Sequence, residues 1–75
     1  MRIEYDPKVD ALYIRLSSKQ PNGALEMQPH LHIDTTENGE LVGIEVLQAS
    51  RNLDLADVLR WEAVVDGSDE PVLAA

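Results

Sequence analysis

Two histidines and an aspartate alternate in the stretch HLHID, where His30, His32 and Asp34 occupy every second position. Alternate side chains of a β-strand project to the same face, so an extended backbone would bring the three together. Imidazole nitrogens and carboxylate oxygens are ligands of zinc, and Glu45 of a neighbouring strand would be a fourth donor. A metal-binding protein is therefore one hypothesis. The other interpretation is a pair of half-exposed histidines on a sheet surface, and on that basis we predict no cofactor.

A second group of polar side chains, Tyr13, Arg15 and Glu45, falls within the alternating stretches DALYIRL and LVGIEVLQAS. Arg15 and Glu45 would form an ion pair if the two strands are neighbours. An acid–base cluster is the catalytic alternative, but neither a nucleophile nor a glycine-rich phosphate loop accompanies these residues. We therefore predict that the protein is not an enzyme and that these residues contact a partner.

The charge balance excludes several classes of function. Fourteen acidic and six basic residues give the 75-residue chain a formal charge of −8, and the basic residues form no cluster. Nucleic-acid binding needs such clusters to displace the counterions of the phosphates, so no nucleic-acid partner is expected. No apolar run approaches the length of a membrane span, and the N-terminal MRIEYD lacks the apolar stretch of a signal peptide. We expect no membrane association and a cytoplasmic location.

Four strands are predicted to carry these residues. They cover residues 2–5, 11–16, 30–35 and 41–48, where apolar residues alternate with polar ones. Asn38 and Gly39 predict a hairpin turn before the last strand. Residues 24–34 are extended but interrupted at Pro29, which indicates an edge strand or a bulge, because proline cannot donate to a strand ladder.

One amphipathic helix is predicted over residues 55–65, with Asp54 as its N-cap, followed by a flexible tail over residues 68–75. The predicted fold class is α+β, with residues 1–75 forming a single domain. A small antiparallel β-meander of three to four strands packs one of its faces on this C-terminal helix.

The second face of that sheet is expected to bear Tyr13, Leu41 and Leu47 beside polar groups, too apolar a surface to be left entirely to solvent. The chain is near the lower size limit for a core, and without cysteine no disulfide can stabilise it. Small domains often gain burial by oligomerisation. We therefore predict a protein-binding module that forms a homodimer or binds a small basic protein. The predicted contact residues are Tyr13, Arg15, Glu45, Leu47 and Trp61.

The chain also contains two longer motifs. Tyr-Asp-x-x-x-Asp-Ala-Leu-Tyr-Ile covers residues 5–14, and Gly-x-x-Val-Gly-Ile-Glu covers residues 39–45. Together they resemble a family of short prokaryotic proteins, domain-of-unknown-function family 2283, over about residues 3–53. The family has no settled activity. Because similar proteins are sometimes encoded beside small basic toxin-like proteins, the resemblance implies an antitoxin or partner-binding role.

The C-terminal residues VLAA resemble the small apolar endings that bacterial unfoldase-proteases recognise as degradation signals. A labile antitoxin would benefit from such an ending on a flexible tail. Two terminal alanines also occur by chance, so a tail without this role stays open.

Overall fold

Five antiparallel strands form one sheet in the computed structural model, which describes residues 1–66. The strands are β1 (Arg2–Asp6), β2 (Ala11–Arg15), β3 (Gly23–Gln28), β4 (Leu31–Thr35) and β5 (Leu41–Leu47). Their order is β1-β2-β5-β4-β3, so the last strand of the sequence lies in the middle of the sheet. A hairpin, β1–β2, and a meander, β3–β4–β5, are joined by the pairing of β2 with β5. The predicted tail over residues 68–75, with its VLAA ending, lies outside the described residues.

The predicted antiparallel sheet is confirmed, but it has five strands where three to four were expected. The additional strand is β3, which the sequence indicated only as an extended segment interrupted at Pro29. β3 lies at an edge of the sheet, and its pairing with β4 shifts in register between Glu26 and Gln28. All six of its residues are exposed, so this strand lacks the contrast between a buried and a solvated face that makes a strand recognisable.

The prediction of one helix over residues 55–65 is wrong, because two short helices, α1 (Ala49–Asn52) and α2 (Leu55–Val58), are present. The predicted cap is confirmed: the Asp54 side chain accepts a hydrogen bond from the Asp57 N–H at 3.1 Å. A short helix depends on burial of its apolar face. The apolar side chains after α2 are 49–70% exposed: Leu59, Trp61, Val64 and Val65.

Trp61, which the predicted helix would have included, lies beyond the end of α2. No helix in the part of the chain that the structure describes is long and apolar enough to cross a membrane.

The main core lies between the helices and one end of the sheet, and Val42, near the other end of β5, is also fully buried. Leu12 and Ala49 are fully buried, and Val46 is 5% exposed. Partly buried apolar side chains pack against these three: Ile3, Tyr5, Ile14, Leu31, Ile44, Leu53, Leu55 and Val58. Leu12 and Val46 are register partners near the end of β5 from which α1 follows directly. The helices therefore cover one end of one sheet face.

The hairpin turn predicted at Asn38 and Gly39 is confirmed between β4 and β5. Gly39 has φ 85°, a left-handed conformation that glycine adopts without steric cost. Its N–H donates to the Thr36 carbonyl at 3.0 Å, and the Thr36 N–H donates to the Glu40 carbonyl at 2.8 Å. This turn helps to set the pairing of β4 with β5.

Candidate functional site

One face of the sheet carries a polar row that crosses all five strands. Its members are register partners on neighbouring strands: Glu4, Tyr13, Glu45, His32 and Glu26. The predicted site residues Tyr13, Glu45 and His32 therefore lie side by side. Glu4 and Glu26 join them, although the sequence did not single them out, because alternation gives the face of a residue but not the order of the strands.

Tyr13 extends from this row across Gly43 to Asp34. Its hydroxyl donates a 2.8 Å hydrogen bond to Asp34 Oδ2, although β5 lies between the two strands that carry these residues. Only glycine leaves room for this crossing, because a Cβ at position 43 would overlap Oη and Cζ of Tyr13. Burial and then the hydrogen bond to Asp34 raise the pKa of Tyr13 above its usual value. Tyr13 is therefore a neutral hydrogen-bond donor that ties β2 to β4.

His32 lies between two carboxylates of the polar row. Its Nε2 is 3.3 Å from Glu26 Oε1, and its Nδ1 is 3.4 Å from Glu45 Oε1. His30 lies in the turn before β4, and its carbonyl accepts a hydrogen bond from the Leu47 N–H. Within residues 1–66, no group of three or more His, Asp or Glu side chains is arranged to hold a metal ion.

The predicted ion pair between Arg15 and Glu45 is replaced by a different arrangement. In the register of β2 and β5, Arg15 lies opposite Gly43 and Glu45 lies opposite Tyr13. The two side chains are therefore diagonal neighbours on one face. Arg15 Nη2 lies 3.4 Å from the carbonyl of Lys19, which it approaches as a donor.

Leu41, which was expected on the uncovered face, and the predicted contact residues Leu47 and Trp61 do not form one patch. Leu41 and Leu47 are the first and last residues of β5 and lie at opposite ends of the sheet. Leu47 is half-buried, whereas Leu41 is 52% exposed. Trp61 lies beyond α2. Partner binding by these residues stays a prediction.

Asp10 joins the first hairpin turn to α1 and explains much of the first motif. Its Oδ1 accepts hydrogen bonds from the Tyr5 hydroxyl at 2.7 Å and the Ser50 N–H at 3.0 Å. Its Oδ2 accepts from the Ser50 hydroxyl at 2.6 Å. The bond from the Ser50 hydroxyl, and then that from Tyr5, hold the pKa of Asp10 below its usual value. The hydrogen bond between Tyr5 and Asp10 also raises the pKa of Tyr5 above its usual value.

The other face of the sheet carries five aliphatic side chains that the helices leave partly uncovered. Ile44 is the register partner of both Ile14 and Ile33. Ile14 pairs in turn with Ile3, and Ile33 pairs with Leu25. The four isoleucines are half-buried and Leu25 is 56% exposed. These five residues, one on each strand, are called the apolar row below.

From the sequence, one whole face of the sheet was expected to pack on the C-terminal helix, but the helices leave Ile14 and Ile44 on that face only partly buried. The uncovered surface was expected instead around Tyr13 on the other face, which proves to carry the polar row. The signal for the apolar row was the recurrence of isoleucine at inward positions of four strands. These isoleucines form an uncovered row only because of the strand order and because the helices are short. A four-residue helix covers little of a five-stranded sheet.

Comparison with known proteins leads to relatives of unknown function. The chain is 37% identical over 62 residues to the uncharacterized protein MJ0789 of Methanocaldococcus jannaschii, an alignment that covers 80% of this chain and 53% of the relative. The chain thus spans about half the length of the curated relative it matches. No solved structure matches the chain. The family profile described as "Protein of unknown function (DUF2283)" matches residues 2–50, which contain both motifs and all five strands. The chain therefore belongs to the DUF2283 family of proteins of unknown function.

Proposed function

We propose that the protein is a non-catalytic protein-binding module and that the apolar row is its docking surface. The observation that carries this proposal is a set of five aliphatic side chains, adjacent to one another on five strands, uncharged and incompletely covered. Single exposed apolar side chains are ordinary on protein surfaces. A contiguous apolar patch is typical of an interaction site.

The exposed surface of the apolar row is large enough to affect an association equilibrium. Complete burial of one leucine or isoleucine contributes about 1.5–3 kcal/mol. Leu25 is 56% exposed, so covering this side chain alone contributes about 1 kcal/mol. The half-buried isoleucines add smaller amounts. Since about 1.4 kcal/mol changes an affinity tenfold, the contribution to the affinity of a partner that covers the row is on the order of tenfold.

The side-chain hydrogen bonds of the described residues support a binding module over an enzyme. Tyr13 donates to Asp34 and thereby ties two strands together, while Tyr5 and Asp10 hold the start of α1. Each of these hydrogen bonds stabilises the fold, which is sufficient to explain the positions of these side chains without a catalytic role.

The polar face is the alternative docking surface, and it would suit a basic partner. Five carboxylates and two guanidinium groups lie on it: Glu4, Asp6, Glu26, Asp34, Glu45, Arg2 and Arg15. The resulting acidic surface would attract a basic protein, because complementary charge speeds association. Four of the five contact residues expected from the sequence belong to this face: Tyr13, Arg15, Glu45 and Leu47.

Site-specific photocrosslinking in the cells that produce the protein tests which face docks. A benzoyl-phenylalanine replaces Leu25 of the apolar row in one variant. In the other variant it replaces Glu26, the next residue of the same exposed strand, whose side chain lies on the polar face. We expect adducts, with any protein including the chain itself, from position 25 only.

Two results of this experiment would contradict the proposal. Adducts from position 26 alone would transfer docking to the polar face and favour a basic partner. The lack of adducts from both positions, with unchanged thermal unfolding of both variants, would remove the apolar row as a docking surface.

A further inference from the structure

We propose that a cleft at one corner of the sheet binds a single phosphate group, either free or in a small ester. The cleft lies where β1 begins and β2 ends, and its volume is about 500 Å³, a size typical of small-molecule sites. Three of the chain's six basic residues line it: Arg2, Arg15 and Lys19. They are dispersed in the sequence, and the first hairpin brings them together. The cleft is separate from the apolar row, and its function does not depend on docking there.

Two of these cations lie directly opposite one another. Arg2 and Arg15 are register partners on β1 and β2, so their side chains leave the same face of the sheet. Like charges in such a pair are destabilising. An anion between them would replace this repulsion by two attractions, and each planar guanidinium can donate two parallel N–H bonds to the oxygens of a phosphate. The pair is therefore an arrangement that a phosphate would stabilise.

Arg15 supplies a positive charge that forms no ion pair with a carboxylate of residues 1–66. Its side chain is half-buried, and its Nη2 lies 3.4 Å from the Lys19 carbonyl. Its diagonal neighbour Glu45 lies beside His32 instead, with 3.4 Å between Oε1 and Nδ1. A buried charge is costly unless it is paired. We therefore expect Arg15 to contact the phosphate most directly.

The other two cations are held by carboxylates that limit the size of the ligand. Arg2 Nε lies 2.8 Å from Glu4 Oε1, which leaves the two terminal nitrogens of Arg2 for a ligand, and Lys19 pairs with Glu40. Both ion pairs are exposed, and exposed pairs are weak. Glu4 and Glu40 would repel any further phosphate. The cleft therefore suits one phosphate group and not a nucleic-acid strand.

The segment between β2 and Lys19 adds hydroxyl groups and an apolar surface to the cleft. Ser17 Oγ accepts a hydrogen bond from the Lys19 N–H at 3.0 Å, so its own hydrogen can be donated to a ligand. Ser18, the next residue, is exposed and also lines the cleft. The Leu16 side chain is 38% exposed there and offers a surface to the organic part of an ester.

The formal charge of −8 acts on this site only weakly, because salt screens distant charges. The screening length at physiological ionic strength is about 8 Å. Asp6, at the far end of β1, is roughly 13 Å along the strand from Arg2. The cations that line the cleft therefore dominate the local potential.

A nuclear magnetic resonance titration of the 75-residue chain tests the site, with inorganic phosphate and with phenyl phosphate at constant ionic strength. We expect the amide signals of residues 15–19 to shift and saturate with both ligands. Tighter binding of phenyl phosphate would assign an ester whose ring packs on Leu16. Equal affinities would assign inorganic phosphate as the ligand.

Arg15→Gln should weaken the binding of both ligands by about tenfold or more, because it removes charge-assisted hydrogen bonds. The matched control is Arg51→Gln, the same charge change at an exposed position of α1, which should leave both affinities within about twofold. Lys19→Gln, at an exposed loop position, should also weaken binding. It keeps the test decisive if thermal unfolding shows that Arg15→Gln disturbs the fold.

Three results would overturn the proposal. One is the lack of saturable shifts at residues 15–19 with either ligand. Another is equal weakening by Arg15→Gln and Arg51→Gln, which would reduce the effect to general charge attraction. The third is tighter binding of a single-stranded oligonucleotide than of phenyl phosphate at equal phosphate concentration, which would assign a nucleic-acid partner.

Discussion

Gly43 belongs to the motif over residues 39–45, and contact with Tyr13 of the motif over residues 5–14 explains why glycine is needed there. The Tyr13 ring occupies the space where a side chain at position 43 would begin, and its hydroxyl reaches Asp34 beyond. Glycine in the interior of a strand ordinarily weakens it, because it has no side chain to pack. Here the tyrosine supplies that packing from the neighbouring strand, so both motifs are needed for one structural unit.

Gly43→Ala should therefore destabilise the protein by about 1–3 kcal/mol, the usual cost of overpacking, because the Tyr13 ring must leave Asp34. Urea unfolding measures this change. The cost should shrink in a Tyr13→Ala background, where the space is empty. Gly23→Ala is the control: its nearest heavy atom, Thr35 Oγ1, is 3.8 Å away, and the change should stay within about 0.5 kcal/mol. Equal costs for Gly43→Ala in both backgrounds would contradict the explanation.

At the scale of the secondary-structure elements, the Asp10 side chain joins two elements that are far apart in the sequence. It lies in the β1–β2 turn with φ 54°, and it binds Ser50 at the start of α1, 40 residues later. Gln48, with φ 50°, turns the chain sharply from β5 into that helix. The carboxylate thus fixes the position of α1, and with it fully buried Ala49, over the end of the sheet.

Asp10→Asn tests this link through its pH dependence, since asparagine also tolerates the left-handed conformation. The folded-state pKa of Asp10 is lowered, so its ionised form contributes stability above the unfolded-state pKa of about 3.9. This contribution is lost as the pH falls through the folded-state pKa.

We expect Asp10→Asn to lower the urea midpoint at pH 7, and we expect the difference from the unmodified chain to narrow below about pH 4. Glu37→Gln, at an exposed position in the β4–β5 turn, is the control and should show little difference at pH 7. If the urea midpoints of Asp10→Asn and the unmodified chain differ by the same amount from pH 7 to pH 2, the effect of the substitution arises from side-chain shape and not from charge.

The elements that the sequence predicted well are the strands in which apolar residues alternate with polar ones. Alternation and the Asn38–Gly39 turn were sufficient for β2, β4 and β5, because burial imposes a period of two on such strands. Edge strand β3 has no buried face, and the helix pattern after Asp54 continued into residues that nothing covers. Both errors arose because the burial of these residues depends on neighbours that are distant in the sequence.

At the scale of the whole molecule, the sheet separates two kinds of surface. One face carries the polar row with its carboxylates, and the other carries the helices at one end and the apolar row beside them. The sequence identified Tyr13, Glu45 and His32 as residues of one face. It did not identify the apolar row, because the row exists only through the strand order β1-β2-β5-β4-β3.

The central position of β5 has a consequence for synthesis. β1 and β2 leave the ribosome before the meander and form a hairpin whose inner edge has no partner until residue 47 has been made, some thirty residues later. Two-stranded hairpins are marginal in water. The nascent chain therefore passes through a period in which β2 offers an open backbone edge to any other strand, and arrival of the finished meander ends that period. Chaperone dependence and early aggregation should accordingly respond to changes in the meander more than to changes in the hairpin.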